Sequence, residues 1–371
     1  MLTTGFRKSQ LIIFLLAILS VSSVFASPSP PTKRRCVVID KARKQLVLLT
    51  DHRPLAEFPA SFGIDPDSDK YKAFDSATPE GLYVVTQKKF NSRFHRLLAI
   101  SYPNLANAEK GLAGGVISPS EFQRIRSAAK NGTATVSDTG LGGGIAIHGG
   151  GVFRNFAKTR ERDWTRGCIA LNDADVEKVF DFCRSGDPVI IFNSRRSLYG
   201  IIRPFARATD LDEAGRPRCL DGVCTYQVEV PTSLGRMNLV IKEGKAYGKS
   251  IKVVVDDDEA RKEPLLVIVD HNADGILSPL DEIGGPADSR ADPDAAYKRA
   301  RDAVIDALSR GAMVEGKRWP MAAIRGAARL PDAAKRKEDG RGPAGIAGKA
   351  RPVIQPAEVM VSPRSTGRRP L

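Results

Sequence analysis

The stretch Ile145–Gly150, IAIHGG, is followed after 14 residues by Thr165–Asn172, TRGCIALN. The apolar run Ile145–Ile147 predicts a buried strand that ends at His148. Glycines follow the histidine and precede Cys168, so both side chains are expected on neighbouring loops beside a strand. The pattern predicts one imidazole and one thiol close together at the edge of a β-structure.

These residue types are typical of acyl transfer through a cysteine nucleophile. A thiol with a pKa of about 8.5 is only slightly ionised at neutral pH, so a nucleophilic cysteine needs a base or a cation beside it. His148 is the candidate base for Cys168, and Arg166 adds positive potential. Gly167 allows a substrate carbonyl to approach the backbone, where an N–H donor can stabilise an oxyanion by about 3 kcal/mol.

The segments around this motif predict a mainly β domain with few helices. Four apolar or β-branched runs are expected to be strands, at residues 44–50, 55–63, 82–85 and 189–192. Apolar residues at helical spacing predict an amphipathic helix over Asp173–Cys183. We place the end of this domain near residue 196, where the last apolar run ends.

The two motif segments resemble the signature of the L,D-transpeptidase family, the YkuD-type catalytic domain, over roughly residues 36–196. His148-Gly149 matches its His-Gly pair, and Thr165, Gly167, Cys168 and Ile169 match the Ser/Thr-His-Gly-Cys-hydrophobic part. Thr78–Tyr83 is similar to the Thr-Pro-x-Gly-aromatic turn of the family, and Ser101–Asn104 to a segment of one branch. Arg166 stands where the family usually has a second histidine, and Ala170 where it commonly has a polar residue.

The resemblance implies a β-sandwich or barrel that acts on peptidoglycan stem peptides. It implies Cys168 as nucleophile, His148 as general base, Gly167 as an oxyanion-hole backbone donor and Gly149 as the backbone that orients the histidine. Arg166, Thr165 and Tyr102 are the expected substrate contacts. No cofactor is expected for catalysis.

Residues 197–330 predict a smaller α+β accessory domain that carries a candidate calcium loop. Oxygen ligands at the spacing of such a loop would come from Asp270, Asn272, Asp274, Ile276, Ser278 and Asp281. Asp281 stands where the usual bidentate ligand is Glu, and an apolar strand-like run precedes the loop instead of a helix. A structural Ca²⁺ site and an acidic β-turn are the two interpretations.

The N-terminal end of the chain predicts export, and the C-terminal end predicts a disordered tail. Arg7 and Lys8 precede the apolar run Leu11–Leu19, and small residues follow, which is typical of a signal peptide over residues 1–26. The run is shorter than the roughly 20 residues of a membrane span, so no stable span is expected. Residues 27–35 are a Pro-rich linker, and residues 331–371 a basic disordered tail. The expected location is the periplasm or cell wall.

Charge and cysteine content narrow the choice of partner. The 371 residues carry 57 Lys and Arg against 43 Asp and Glu, a net charge of +14, which favours an anionic partner. Export argues against nucleic acid and for peptidoglycan and other anionic envelope polymers. Five cysteines leave one thiol over if the rest pair. Cys219 and Cys224 are close enough in sequence for a disulfide, whereas Cys36 and Cys183 require the fold to bring them together.

Two other functions use the same residues. An L,D-carboxypeptidase or endopeptidase would resolve the Cys168 thioester with water instead of an amine. A non-catalytic envelope protein would recognise peptidoglycan through the same domain.

Overall fold

The computed structural model describes residues 34–131, 135–156, 159–256, 264–278, 280–285 and 291–314, which belong to one compact unit. The predicted signal peptide, nearly all of the linker and the basic tail lie outside the described residues. The described chain forms sixteen strands in three sheets and five α-helices. The mainly β class predicted from the sequence is therefore confirmed.

The first sheet has eight strands in the order β3-β2-β1-β10-β4-β5-β6-β9. Its strands are β1 (Arg35–Asp40), β2 (Gln45–Thr50), β3 (Arg53–Pro59), β4 (Gly81–Ser92), β5 (His95–Ile100), β6 (Ala146–His148), β9 (Ile169–Ala170) and β10 (Pro188–Phe192). A separate two-stranded hairpin is formed by β7 (Phe153–Phe156) and β8 (Thr159–Arg162). The hairpin belongs to the segment that connects the histidine motif to the cysteine motif.

The centre of the first sheet is buried on both faces. β1 and β10 pair in parallel, with Val37 opposite Val189 and Ile39 opposite Ile191. These four side chains lie in one apolar cluster, while their alternate neighbours on the same strands face a second cluster. This is why both sequences are continuous apolar runs rather than alternating ones.

The two edges of the first sheet meet behind the cysteine motif. The segment after β3 forms an antiparallel bridge with β9, in which the N–H of Ser61 donates to Ala170 O at 2.9 Å and the N–H of Ala170 donates to Ser61 O at 2.8 Å. The sheet therefore closes in the manner of a barrel, and β9 is held on both sides.

The second sheet has six antiparallel strands in sequence order. They are β11 (Arg207–Ala208), β12 (Val223–Thr232), β13 (Gly235–Gly244), β14 (Gly248–Asp256), β15 (Leu266–Asp270) and β16 (Glu282–Gly284). A disulfide joins Cys219 to Cys224 at the start of β12. The inner face of this sheet packs in one cluster with Val38, Ile190 and Phe192 of the first sheet. The boundary near residue 196 stays a prediction, since residues on both sides of it share this cluster.

The helices cover the remaining apolar surfaces. They are α1 (Leu105–Ala113), α2 (Pro119–Asn131), α3 (Asp173–Phe182), α4 (Leu198–Ile202) and α5 (Pro293–Ser309). α3 buries Val176, Val179 and Phe180 at helical spacing, as its sequence predicts. α5 packs in the cluster shared by the two sheets.

Candidate active site

Two adjacent parallel strands position the candidate base and nucleophile. Ile147 of β6 pairs with Ile169 of β9, and both side chains are in the apolar core. Because side chains alternate along a strand, His148 and Cys168 lie on the opposite face from these isoleucines. If this register is continued by one residue towards the start of both strands, Cys168 lies beside Ala146. Ala146 is two positions before His148, so the two reactive side chains are diagonal neighbours on one face. Diagonal neighbours on one face of a sheet lie about 7 Å apart, within reach of long side chains.

The thiol of Cys168 is unpaired and partly exposed. Its Sγ donates to Gly144 O at 3.6 Å, rather than to the imidazole. Burial raises the pKa of this thiol, while the backbone at Ala146, Lys70 and Arg93 act in the opposite direction. The thiol is therefore protonated at neutral pH and needs a base when it reacts.

The imidazole of His148 is held in one tautomer. Its Nδ1 lies 2.6 Å from the carbonyl oxygen of Gly149, which can only accept a hydrogen bond. Nδ1 therefore carries the proton, and Nε2 keeps a free lone pair. A Cβ at Gly149 would lie 2.8 Å from the backbone carbonyl oxygen of Phe94, so any larger residue would require the backbone there to shift.

Aromatic and cationic groups surround the imidazole. The ring of Phe94 stacks on His148 at a centroid distance of 4.5 Å, and Trp164 lies tilted at 5.8 Å. The guanidinium of Arg154 lies over Trp164, and that of Arg93 over Phe94. Burial, Arg154 and Arg93 lower the pKa of His148, which is 2% exposed. The imidazole is therefore neutral at neutral pH, as a general base must be.

The turn before Cys168 is built by Thr165 and Gly167. Thr165 Oγ1 donates to Cys168 O at 2.7 Å and accepts from the N–H of Gly167 at 3.1 Å. Gly167 has a φ of +114°, and a Cβ there would lie 2.6 Å from Ala77 O. The Thr165 hydroxyl is buried, and the Gly167 N–H already donates to it. These two residues therefore stabilise the turn. The Cys168 N–H has no acceptor among the described residues, which makes it the better candidate for the oxyanion donor.

A cleft of about 870 Å³ opens beside the thiol. One wall is the glycine loop Gly142–Gly144, whose last carbonyl accepts from Cys168 Sγ. The other wall contains Lys70, Phe74 and the exposed Arg166. Phe74 is 93% exposed and has a φ of +62°, so an apolar ring stands at the rim in a conformation rare for a large side chain.

Tyr102, expected to contact substrate, lies below the surface. It is fully buried, its hydroxyl donates to Leu141 O at 3.1 Å, and its ring packs edge-on against Tyr83. These contacts place it in the packing beneath the glycine loop. A substrate in the cleft would meet Arg166 and Lys70 instead.

The candidate calcium loop between β15 and β16 is closed by its own backbone. Asp270 accepts from the N–H groups of Ala273 and Gly275, and Asp281 accepts from those of His271 and Ser278. The side chains of Asn272 and Asp274 hydrogen bond to each other. Within the described residues, no group of three or more His, Cys, Asp or Glu side chains is arranged to hold a metal ion. The calcium site stays a prediction.

Sequence reasoning missed Lys70, Phe94 and Asp75. Phe94 is in the turn between β4 and β5, and Lys70 and Asp75 are in the loop before β4, all far along the chain from the motif. Asp75 Oδ1 accepts from Lys70 Nζ at 2.7 Å, which fixes the lysine in the cleft wall. Residues 88–96 are rich in basic and aromatic side chains, and this was the one feature of the sequence that could have indicated an aromatic ring over His148.

Three comparisons with known proteins bear on the family. Residues 34–191 match the YkuD family model, the L,D-transpeptidase catalytic domain, which confirms for this part of the chain the family predicted from the motif. The comparison with curated proteins found no match. Among the described residues, no helix is long and apolar enough to cross a membrane.

Similar solved structures include L,D-transpeptidases. L,D-transpeptidase 1 of Mycobacterium tuberculosis is 15% identical with a TM-score of 0.24, and the match covers 43% of this chain and 62% of that one. An L,D-transpeptidase of Xylanimonas cellulosilytica is 16% identical with a TM-score of 0.25, covering 44% and 64%. The helical cell shape determining protein Pgp2 of Campylobacter jejuni is 16% identical with a TM-score of 0.30, covering 63% and 89%. The chain thus spans less than two thirds of the first two.

Proposed function

We propose that this chain, whose residues 34–191 match the L,D-transpeptidase catalytic domain, is an exported enzyme that transfers peptidoglycan stem peptides through a thioester on Cys168. The observation that supports this most directly is the placement of an unpaired cysteine and a neutral histidine on one face of two paired strands, beside a cleft. The predicted signal peptide and the basic charge of the chain fit an envelope location.

In the first step, Cys168 Sγ attacks the carbonyl of the third-position diamino acid. His148 Nε2 takes the thiol proton as the S–C bond forms, and the Cys168 N–H stabilises the oxyanion. The C–N bond to the terminal D-amino acid then breaks, and the imidazolium returns the proton to the leaving amine. The products are the free amino acid and a thioester on the enzyme.

In the second step, an amine of a neighbouring stem peptide attacks the thioester carbonyl. His148 takes a proton from this amine and returns it to the departing sulfur, so the thiol is restored. The Gly149 carbonyl keeps Nδ1 protonated in both steps, so that the same nitrogen, Nε2, does the proton transfer. Water in place of the amine would give hydrolysis from the same thioester.

The test is the reaction of the purified mature protein with disaccharide tetrapeptide, followed by mass spectrometry. We expect cross-linked dimers or terminal-residue exchange, and a covalent adduct of a carbapenem on Cys168. Cys168→Ala should abolish product and adduct, whereas Cys183→Ala, a change at a buried thiol away from the cleft, should keep both. Trimmed monomers alone would favour the hydrolase. Absence of product and adduct from the wild-type protein would refute the proposal.

A further inference from the structure

The thiol divides the site into two sides. One segment of the chain carries Gly144, Ala146 and His148 at alternate positions. Cys168 lies beside Ala146, and its Sγ contacts Gly144 O. Because Gly144 lines the cleft, we infer that the imidazole lies on one side of the thiol and the cleft on the other. Since the leaving amine must receive its proton from His148, the acyl part of the donor lies in the cleft.

Two cations line that cleft. Lys70 is 5% exposed, and its Nζ donates to Lys72 O at 3.0 Å and to Asp75 Oδ1 at 2.7 Å. The Tyr102 ring lies 5.9 Å from this Nζ, and the third N–H has no hydrogen-bond acceptor among the described residues. Arg166 is exposed and forms no ion pair among the described residues. The one acidic side chain among the residues that line the cleft, Asp138, already pairs with Arg124 at 2.6 Å.

Lys70 is fixed in this wall before any ligand binds. The Asp75 carboxylate also accepts from the N–H groups of Tyr71 at 2.7 Å, Lys72 at 2.9 Å and Ala77 at 3.2 Å, so one side chain organises the whole loop. The charge of Lys70 also reaches the thiol, since it acts to lower the pKa of Cys168. Little of its surface is exposed, yet Lys70 is among the residues that line the cleft.

We propose that Lys70 and Arg166 bind a free carboxylate on the acyl portion of the donor stem peptide, so that this enzyme selects donors whose carboxylate is not amidated. The inference rests on the proposed function and names its donor. A stem peptide offers two such groups on the acyl side of the scissile bond, the α-carboxylate of the γ-linked second residue and the distal carboxylate of the diamino acid. Both have the chemistry that a lysine and an arginine recognise.

The test compares three synthetic donors, L-Ala-γ-D-Glu-diaminopimelyl-D-Ala with both carboxylates free and the same peptide amidated at either one. The measured quantity is kcat/KM for release of the terminal D-Ala. We expect amidation of the recognised carboxylate to lower kcat/KM by about 10- to 100-fold, and amidation of the other to leave it within about twofold. This comparison needs only the wild-type protein.

Variants then locate the recognition. Lys70→Met and Arg166→Gln should each lower kcat/KM for the free donor about tenfold or more, and change it little for the donor that is amidated at the recognised position. Lys70→Arg should keep the preference. Lys72→Met removes the same charge from the exposed side of the same loop and should not alter it. Arg166 is exposed, so its variant remains informative if Lys70→Met fails to fold.

Equal use of all three donors by an active wild-type protein would overturn the inference and leave the proposed function standing. The same holds if the two variants lower kcat/KM for every donor alike. A wild-type protein that uses none of the donors would refute both.

Discussion

Burial, together with the charges of Arg154 and Arg93, lowers the pKa of His148 and favours its neutral form. A group whose pKa is lowered keeps its neutral form to lower pH, so the acid limb of kcat/KM should lie below the ordinary histidine value of about 6.5. Arg154→Gln removes one of the positive charges and should move this limb to higher pH. A pH profile of D-Ala release measures it, with the exposed Arg218→Gln as a distant control. An unchanged limb would show that burial alone sets the pKa.

The Cys168 thiol should react as a thiol with a raised pKa. Burial raises its pKa, so the rate of alkylation by iodoacetamide should keep increasing with pH through about 9. Intact-mass measurement at each pH follows the single adduct, and Cys168→Ala shows the contribution of other sites. Cys36 and Cys183 are buried and should react far more slowly. A plateau below pH 8 would instead indicate a preformed thiolate.

Among the residues of the candidate site, the sequence predicted those that belong to the two short motifs. His148, Gly149 and Cys168 belong to two short motifs on paired strands, so their association follows from the local pattern. Lys70 and Phe94 reach the same site from loops whose paths only the closed sheet determines. Tyr102 is fully buried, which nothing in a short motif shows, and its contact with substrate stays a prediction.

The turn that carries the nucleophile depends on one glycine. Gly167→Ala would place a methyl group 2.6 Å from Ala77 O at a φ of +114°, a strain of about 1–3 kcal/mol. Displacement of Cys168 by about 1 Å can reduce the rate about 100-fold. Stopped-flow measurement of carbapenem acylation tests this prediction.

Gly222→Ala is the matched control for this change. It also has a positive φ, of +76°, but no atom lies within 4 Å of the added Cβ. It should cost stability without affecting acylation. Equal acylation by both variants would mean that the Gly167 turn adapts.

The sequence predicts elements that have a regular pattern, and it predicts the pairing of the consecutive strands at 44–50 and 55–63, found as β2 and β3, but it does not predict the order of distant strands. The helix expected over 173–183 is found as α3, and Val189–Phe192 is a strand as expected. That strand, although last in the first sheet's sequence, lies between β1 and β4. Periodicity gives the type of an element, but strand order depends on contacts between distant segments.

The two sheets share one apolar cluster, so the described chain should unfold as one unit. Ile190 of β10 and Ile251 of β14 are both fully buried in that cluster. Ile190→Ala and Ile251→Ala should each lower the free energy of unfolding by about 2–5 kcal/mol, in a single urea transition. Leu220→Ala, at a side chain that is 79% exposed, should change it by less than about 0.5 kcal/mol. Two separate transitions would show that the accessory part folds independently.

The parallel pairing of β6 with β9 makes the distance between His148 and Cys168 independent of the length of the segment that connects them. The distance between the base and the nucleophile is set by the hydrogen-bonded pairing of the two strands. The connecting segment from Gly149 to Gly167, which contains the β7–β8 hairpin, does not set this distance. A change in the length of this segment should therefore leave the distance between base and nucleophile unchanged, provided that Arg154 and Trp164 keep their places beside the imidazole.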